Sequence, residues 1–316
     1  MSNFKGMPYQ EILTIFTIVA VLAAFAEALV QSRLSSGKYD WSAYWGSMGV
    51  AIGRRATDLL PLSIAMPGGA WLYEHRLFNI DLNSWWGMLV LFIGLEFFYY
   101  WYHRCSHTIR WFWATHAVHH SPNQMNLSTA YRLGWTSKIS LALVFYLPLC
   151  AIGFQPQIVF FAYGINLLYQ FWIHSDWMPK LGFLEGIINT PSAHRVHHAA
   201  NLDYLDANYG GVLLVFDRLF GTYLPERDDL PVRYGLVHRL ETNNPLKIAF
   251  CQWIPLFKDL GRARNAREFF GYLFMPPGWS PDGQGETTAE MRERARQSLP
   301  TTAAQGRSAT PQATTV

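Results

Sequence analysis

The feature that most restricts the fold of this chain is an apolar run at residues 12–30, in which Glu27 is the single charged residue. An α-helix needs about 20 mostly apolar residues to cross a bilayer. The chain is 50% hydrophobic and only 15% charged, whereas soluble domains carry about 25% charged residues. A cleaved signal peptide is the competing interpretation, but one lysine and no arginine precede the run, and the run is long. We therefore predict an integral membrane protein.

Four further apolar segments follow that run, at residues 57–77, 84–102, 139–153 and 156–173. Pro61 and Pro67 interrupt the first of them, but membrane helices tolerate proline where neighbouring helices cover the backbone. The last two segments form a hairpin with the uncharged tip GFQPQ. The pattern predicts an all-α integral membrane protein with about 4–5 transmembrane helices and a helical cap outside the bilayer.

The positions of lysine and arginine indicate the side on which the cap lies. Segment 31–56 carries Arg33, Lys38, Arg54 and Arg55, whereas Lys5 is the one basic residue before the first apolar run. Cytoplasmic loops are enriched in lysine and arginine. We therefore predict a multi-pass protein whose cap and active site face the cytoplasm, while the hairpin tip faces away.

Cysteine content, charge and the C-terminal composition narrow the possibilities further. Cys105, Cys150 and Cys251 are an odd number without a CxxC pair, which argues against a disulfide framework. The net charge of +3 comes without a basic stripe between aromatics, so we expect no nucleic-acid partner. Residues 280–316 have few large apolar side chains, and we predict a disordered tail there, with one or two helical turns at 287–298, after a membrane domain at 1–279.

Histidines dominate the polar part of the chain. The motif HAVHH at 116–120 repeats as HRVHH at 194–198, and two further histidines, at 103 and 107, are four residues apart. Helical residues four apart lie on one face with Cβ atoms about 5–6 Å apart, so His103 and His107 can both reach one ion. His116 pairs with His120 in the same way, and His119 lies at the edge of that face. His174 ends the fifth apolar segment on the same side. The predicted metal ligands are His103, His107, His116, His119, His120, His174, His194, His197 and His198.

The number of these histidines predicts two metal ions. A structural zinc ion uses four ligands, and a catalytic one uses three and a water, so nine imidazoles are too many for one ion. Imidazole suits iron, copper, nickel and zinc alike, so spacing leaves the element open. The HExxH pattern of zinc proteases is absent because Arg104 and Ala117 follow the first histidines of two motifs. Haem ligation by two histidines would leave most of the others unused.

Residues that support the ligands are also expected, because a metal-bound histidine usually donates its second N–H to a carboxylate or carbonyl. Glu96 lies two turns before the first histidine, on the same face. The candidates for this supporting role are Glu96, Asp176, Asp203, Asp206, Asp217 and His238. His238 could also be an additional ligand.

These motifs, with the stretches LEFFYYWYHRCSH, NLSTAYR, NLLYQFWIH and NYGGVLLVFDRLFGTYLPE, resemble the fatty acid hydroxylase and sterol desaturase superfamily. Within it they are most similar to the alkylglycerol monooxygenase branch. The resemblance implies two non-haem iron ions and O2-dependent hydroxylation of a C–H bond in a lipid alkyl or acyl chain. It also implies tetrahydrobiopterin as the reductant of the characterised members. Thr108 stands where that branch has glutamate, and Ala193 stands where a histidine is common.

The electrons must come from an external donor, because neither GxGxxG after a strand nor the haem-binding HPGG signature is present. The donor is expected to be a reduced pterin or a small redox protein, and the substrate a lipid in the bilayer. Two alternatives remain open. One is a sterol or carotenoid desaturase or oxygenase of the same superfamily. The other is a redox-silent zinc membrane hydrolase or binding protein.

Overall fold

The computed structural model describes residues 9–34 and 39–298, and every regular element in these ranges is helical, as predicted. Short 3-10 turns cover Leu127–Tyr131, Ala142–Tyr146 and Gly182–Leu184. The α-helices are α1 (Tyr9–Leu34), α2 (Trp41–Asp58), α3 (Ala65–Glu74), α4 (Trp85–Thr108), α5 (Arg110–His120), α6 (Leu147–Ile152), α7 (Pro156–Ile173), α8 (Pro191–His197), α9 (Val215–Phe220), α10 (Pro245–Ala249), α11 (Trp253–Leu260), α12 (Ala266–Phe274) and α13 (Thr288–Gln297).

Helix α1 fits a membrane span. Within the described ranges, its residues Glu11–Leu34 form the one helix that is both long and apolar enough to cross a bilayer. Ala24 and Ala28 are buried one turn apart, while many of its leucine, isoleucine and valine side chains are exposed. Glu27 in the second half of this helix accepts a hydrogen bond of 2.7 Å from Leu127 N. This bond ties the helix to the loop that follows α5.

Two of the predicted spans are not continuous helices of spanning length. Segment 57–77 is broken at residues 59–64, which include Pro61, and α3 has 10 residues and a length of about 15 Å. In segment 139–153, Leu141 lies in the left-handed region (φ 62°), and a 3-10 turn and the six-residue α6 follow it. The hydrocarbon core is about 30 Å thick, so neither segment is the single spanning helix predicted.

The two long helices α4 and α7 carry histidines at their C-terminal ends. Leu95 and Tyr99 of α4 and Val159 of α7 belong to one buried apolar cluster. Helix α7 then rises about 27 Å from the hairpin tip to His174. Because α4 and α7 pack together, the histidines at their ends come close in space.

Helix α13 lies in the C-terminal region at 287–298, where one or two helical turns are predicted within the tail. Helix α13 starts with a capping box, in which Thr287 Oγ1 accepts from Glu290 N and the Glu290 side chain accepts from Thr287 N. Arg292 donates to the backbone oxygens of Leu202 and Leu205 (3.3 and 2.8 Å). These contacts order a segment that has little apolar surface of its own. Residues 299–316 of the predicted tail lie outside the described residues, and a domain boundary near 279 stays a prediction.

Candidate metal centre

Helices α4 and α5 present five histidines around a sharp turn, because only one residue separates the two helices. The rings of His103 and His107 have centroids 5.4 Å apart on the last turns of α4. His116 and His120 of α5 face them, with centroid distances of 4.8 Å (His103–His116) and 4.6 Å (His107–His120). His119 lies beside them and points to the end of α7. The helical spacing in the sequence therefore does place these rings together.

Helix α8 brings in the second HxxHH motif. Thr190 caps the helix by accepting a hydrogen bond from Ala193 N, and Glu185 accepts from Thr190 Oγ1. Arg195, inside the motif, points away from the histidines and forms an ion pair of 2.7 Å with Glu226. It also donates to two backbone oxygens. Arg195 thereby fixes the rotation of α8 and leaves the three histidines on the opposite side.

The nine predicted ligands form two adjacent groups, in each of which the candidate ligand atoms lie within 4.8 Å of one another. The five-histidine group is His103, His107, His116, His120 and His197, and the four-histidine group is His119, His174, His194 and His198. Neighbours in sequence separate, since each HH pair contributes one ring to each group. The rings of His120 and His198 are stacked with centroids 4.3 Å apart, so the two groups touch.

Three of the histidines share one arrangement, in which Nδ1 lies at hydrogen-bond distance from a backbone oxygen. The pairs are His103–Tyr209 (2.8 Å), His174–Gln170 (2.7 Å) and His197–Ala207 (2.9 Å). A carbonyl oxygen can only accept, so each ring carries its proton on Nδ1 and keeps a lone pair on Nε2. Such fixed partners orient imidazoles for metal binding.

The Nε2 atoms approach one another closely. His116 Nε2 lies 3.0 Å from His103 Nε2 and 3.1 Å from His120 Nε2. His174 Nε2 lies 3.2 and 3.0 Å from the Nε2 atoms of His119 and His194. A single N–H on His116 could serve only one of its two contacts. Because metal–nitrogen bonds are about 2.0–2.1 Å, neighbouring ligand atoms on one ion lie about 3 Å apart, which these contacts match.

Burial also favours metal binding over a protonated cluster. Burial and the neighbouring imidazoles lower the pKa of the clustered histidines, to about 4 for His197, where burial is the main cause. The rings are therefore neutral, the form that binds metals. His107 Nε2, His197 Nε2 and His198 Nε2 are buried and have no hydrogen-bond partner among the described residues. Metal ions would satisfy these atoms, so the residues fit the two ions that the sequence predicts.

Three of the predicted supporting acids lie near the ligands, each in a different way. Asp206 Oδ1 is 3.8 Å from His107 Nδ1. Asp217 accepts hydrogen bonds from Tyr209 N and Gly210 N, and so holds the loop whose carbonyl contacts His103. Glu96 is buried and accepts from two backbone N–H groups and from Asn166, which links it through Gln170 to the α7 end.

The other three candidates contact none of the clustered histidines. Asp176 is exposed and accepts from the Tyr234 hydroxyl, and Asp203 is exposed. His238 has an 80% exposed side chain and pairs with Glu286 at 2.6 Å. The groups that do contact the rings are mostly backbone carbonyls. The side chains at those positions gave no signal in the sequence, because any residue carries a carbonyl.

Two pockets reach the histidine groups from different directions. The apolar pocket, about 290 Å³, touches both groups at His116 and His119 and is lined by residues of α2, α3, α4 and α7, including Tyr102, Phe160 and Leu167. We call the second pocket, about 480 Å³, the polar pocket because charged residues, among them Asp206, Glu286 and Arg292, line it together with apolar ones. It touches only the five-histidine group, and Thr108 and Trp113 also lie in its wall. The junction of the two groups is therefore reached from the apolar pocket, whereas the five-histidine group is reached from both pockets.

Comparison with known proteins agrees with the motifs. Residues 88–222 match the fatty acid hydroxylase family. The chain is 38% identical over 236 residues to the alkylglycerol monooxygenase of Homo sapiens, which covers 74% of this chain and 52% of that protein. The Danio rerio alkylglycerol monooxygenase is 36% identical over 236 residues, with the same shares. The ornithine lipid hydroxylase OlsE of Rhizobium tropici is 26% identical over 178 residues, 55% of this chain and 53% of that protein.

This chain spans about half the length of these curated relatives, and no solved structure matches it. The matched residues 88–222 contain all nine clustered histidines. The chain therefore contains a fatty acid hydroxylase domain at residues 88–222, and it is similar to the alkylglycerol monooxygenases.

Proposed function

We propose that this chain is a membrane-bound non-haem di-iron oxygenase that hydroxylates a C–H bond of a lipid alkyl or acyl chain. It would use O2 and electrons from an external donor. The observation that carries the proposal is the pair of touching, buried histidine groups, in which no cysteine or carboxylate takes part within the described ranges. The relatives named as lipid oxygenases support the same reaction class.

The five-histidine group would hold one iron ion and the four-histidine group the other. Bound there, iron would supply the activation of O2 and the oxidation of the substrate C–H bond. Imidazole ligands also suit other metals, so the choice of iron rests on the family. The protein keeps the rings neutral by burial and orients three of them through backbone carbonyls.

The apolar pocket is suited to the lipid chain. Its walls are mostly apolar side chains from α3, α7 and the 142–146 turn, and it ends at the junction of the histidine groups. An alkyl chain placed there would exclude water from His116 and His119. Arg54, which lines the same pocket, is already paired with Asp58 and bonded to Gly134 O. Because Asp58 already balances the charge of Arg54, the guanidinium could donate to an uncharged polar group of the lipid.

The polar pocket is suited to the electron donor, because it leads to the five-histidine group from the cap. Thr108 lies in its wall, with its hydroxyl bonded to Arg104 O in the same helix. A neutral side chain used in this way offers no charge to a pterin. We therefore propose a small iron–sulfur or haem protein as the donor, with tetrahydrobiopterin as a weaker one.

Metal analysis and product analysis of the full chain in lipid nanodiscs test the proposal. We expect about two iron ions per chain. We also expect His116→Ala and His194→Ala, one change in each histidine group, to lower the iron content and abolish incorporation of 18O from 18O2 into a lipid chain. The control His75→Ala changes an exposed histidine at the end of α3, which bonds to Trp71 O, and should retain the iron.

A chain that holds one zinc ion, unaffected by either histidine change, would contradict the di-iron proposal. The protein could also contain iron and form a new double bond in a sterol or carotenoid, without 18O in any lipid. That result would show desaturation in place of the proposed hydroxylation.

A further inference from the structure

Segment 245–275, which follows the matched domain, has an exposed apolar surface. Along α10 and α11, the exposed side chains Leu246, Phe250, Ile254 and Phe257 follow one another at steps of four, four and three residues. Such steps place side chains on one face of a helical path. In α12, Phe270 and Phe274 are each 55% exposed and stack with ring centroids 6.2 Å apart. We name these six residues the aromatic face.

The opposite sides of α11 and α12 are both packed on α5. Trp253 and Leu256 of α11 are buried against Ala114, and Tyr272 and Leu273 of α12 pack on the same cluster. Because the two helices lie on one side of α5, their exposed sides point away from it together. The aromatic face is therefore a continuous surface of α11 and α12, with Leu246 and Phe250 preceding α11, rather than a set of scattered side chains.

The charges around this surface are mainly basic. Segment 245–275 contains five lysines and arginines but only two acids, Asp259 and Glu268. Both acids are already paired, Asp259 with Arg110 and Glu268 with Arg264. Lys258 and Arg267 are exposed and have no ion-pair partner within the described ranges. Aromatic residues on one side of a helix and unpaired basic residues beside them are typical of helices that lie in the interface of an anionic membrane.

The surface is also continuous with segments that approach the membrane. Arg110, the first residue of α5, donates its N–H to Met275 O, so the end of α12 lies beside the end of α4. At the other end, Phe250 contacts Trp135, whose Nε1 donates to Val50 O of α2. The aromatic face therefore extends from the end of α4 to the side of α2.

We propose that α10–α12 form an in-plane membrane anchor, whose aromatic face inserts into the interface of an anionic lipid bilayer and holds the cap against it. The helices would lie parallel to the surface with their apolar side about 5–10 Å below the headgroups. This inference does not depend on the metal or on the reaction, because no residue of the aromatic face lines either of the two pockets that reach the histidine groups.

Fluorescence quenching by spin-labelled lipids tests the anchor. The full chain, with its three native cysteines replaced, receives one bimane-labelled cysteine at Phe257 or Phe270 and is placed in phosphatidylcholine vesicles with phosphatidylglycerol. Val30→Cys, on the exposed side of α1 near the end of that helix, is the positive control, and Asp228→Cys, whose side chain is 94% exposed, is the negative control. A doxyl group near the headgroup should quench Phe257→Cys and Phe270→Cys about as strongly as Val30→Cys.

Two outcomes would overturn the proposal. Quenching as weak as that of Asp228→Cys, with free access of aqueous iodide, would show a surface exposed to water. Protection from both the lipid quencher and iodide would show that a protein, a second copy or residues 299–316 cover the face. In vesicles without phosphatidylglycerol, the lipid quenching should decrease, and Lys258→Glu with Arg267→Glu should produce the same decrease in anionic vesicles.

Discussion

At the scale of single residues, chemically identical histidines have different surroundings. His103, His174 and His197 are fixed by carbonyls behind the ring, and His107 is faced by Asp206. His75 and His238 are exposed and hydrogen-bonded outside the groups. The burial of the ring, rather than residue type, separates the candidate ligands from these two histidines, because the Nδ1 atom of exposed His75 also lies at hydrogen-bond distance from a backbone oxygen.

Thr108 provides a prediction about the electron donor. We expect Thr108→Glu to place a carboxylate in the wall of the polar pocket and to improve tetrahydrobiopterin as reductant. A charge-assisted hydrogen bond contributes about 1.5–3 kcal/mol, so the KM for the pterin should fall about ten- to a hundredfold. Thr108→Gln, of similar size but uncharged, is the matched control and should change the KM little. Efficient pterin-supported turnover by the unaltered protein would show that Thr108 does not limit donor choice.

At the scale of elements, α13 completes the wall of the polar pocket. Thr288 and Arg292 of this helix line the pocket with Asp206, and Arg292 fastens the helix to the 202–205 loop. The helix is short and has no buried residue of its own. Its attachment therefore depends on a few polar contacts, unlike that of α4 or α7.

Loss of the Arg292 contacts should release α13. We expect Arg292→Ala to increase hydrogen exchange at 288–297 about tenfold or more, because hydrogen bonds to a charged group contribute about 1.5–3 kcal/mol. The matched control is Arg296→Ala on the same helix, whose 76% exposed side chain forms an ion pair of 3.6 Å with Glu293. Equal exchange rates in the two variants, measured by mass spectrometry, would mean that other contacts hold the helix.

At the scale of the whole molecule, the histidine groups lie at one end of the long helices and the hairpin tip at the other. Gln155 is exposed at the start of α7, about 27 Å from His174 at its end. If α7 crosses the membrane, these two ends lie on opposite sides. From the distribution of lysine and arginine, we predict that the histidine end faces the cytoplasm.

Cysteine labelling in sealed cells tests this topology. With the native cysteines replaced, we expect an impermeant maleimide added outside to label Gln155→Cys. It should label Asp203→Cys on the cap and Ser308→Cys only after permeabilisation. Labelling of both Gln155→Cys and Asp203→Cys in intact cells, or of neither until the cells are permeabilised, would contradict the predicted topology.

The helical class, the apolar run of α1 and the set of nine clustered histidines can be predicted from the sequence, because they depend on local helix geometry. Residues three and four apart on a helix must share a side, so HAVHH and HRVHH could be interpreted before any contact was known. The fatty acid hydroxylase family followed from the same motifs. For the apolar segments 57–77 and 139–153, the sequence predicts single spanning helices, but the structure shows both to be interrupted. Composition alone does not show where a helix breaks.

The division of the histidines between the two groups, and the atoms that orient them, depend on tertiary packing and could not be predicted from the sequence. The split of each HH pair depends on how α5 and α8 are rotated, and Arg195 sets that rotation for α8 through Glu226, 31 residues away in the chain. The carbonyls of Ala207 and Tyr209 reach the rings because the loop folds back over them. Such contacts between distant residues arise from the packing of the whole chain, which no local pattern encodes.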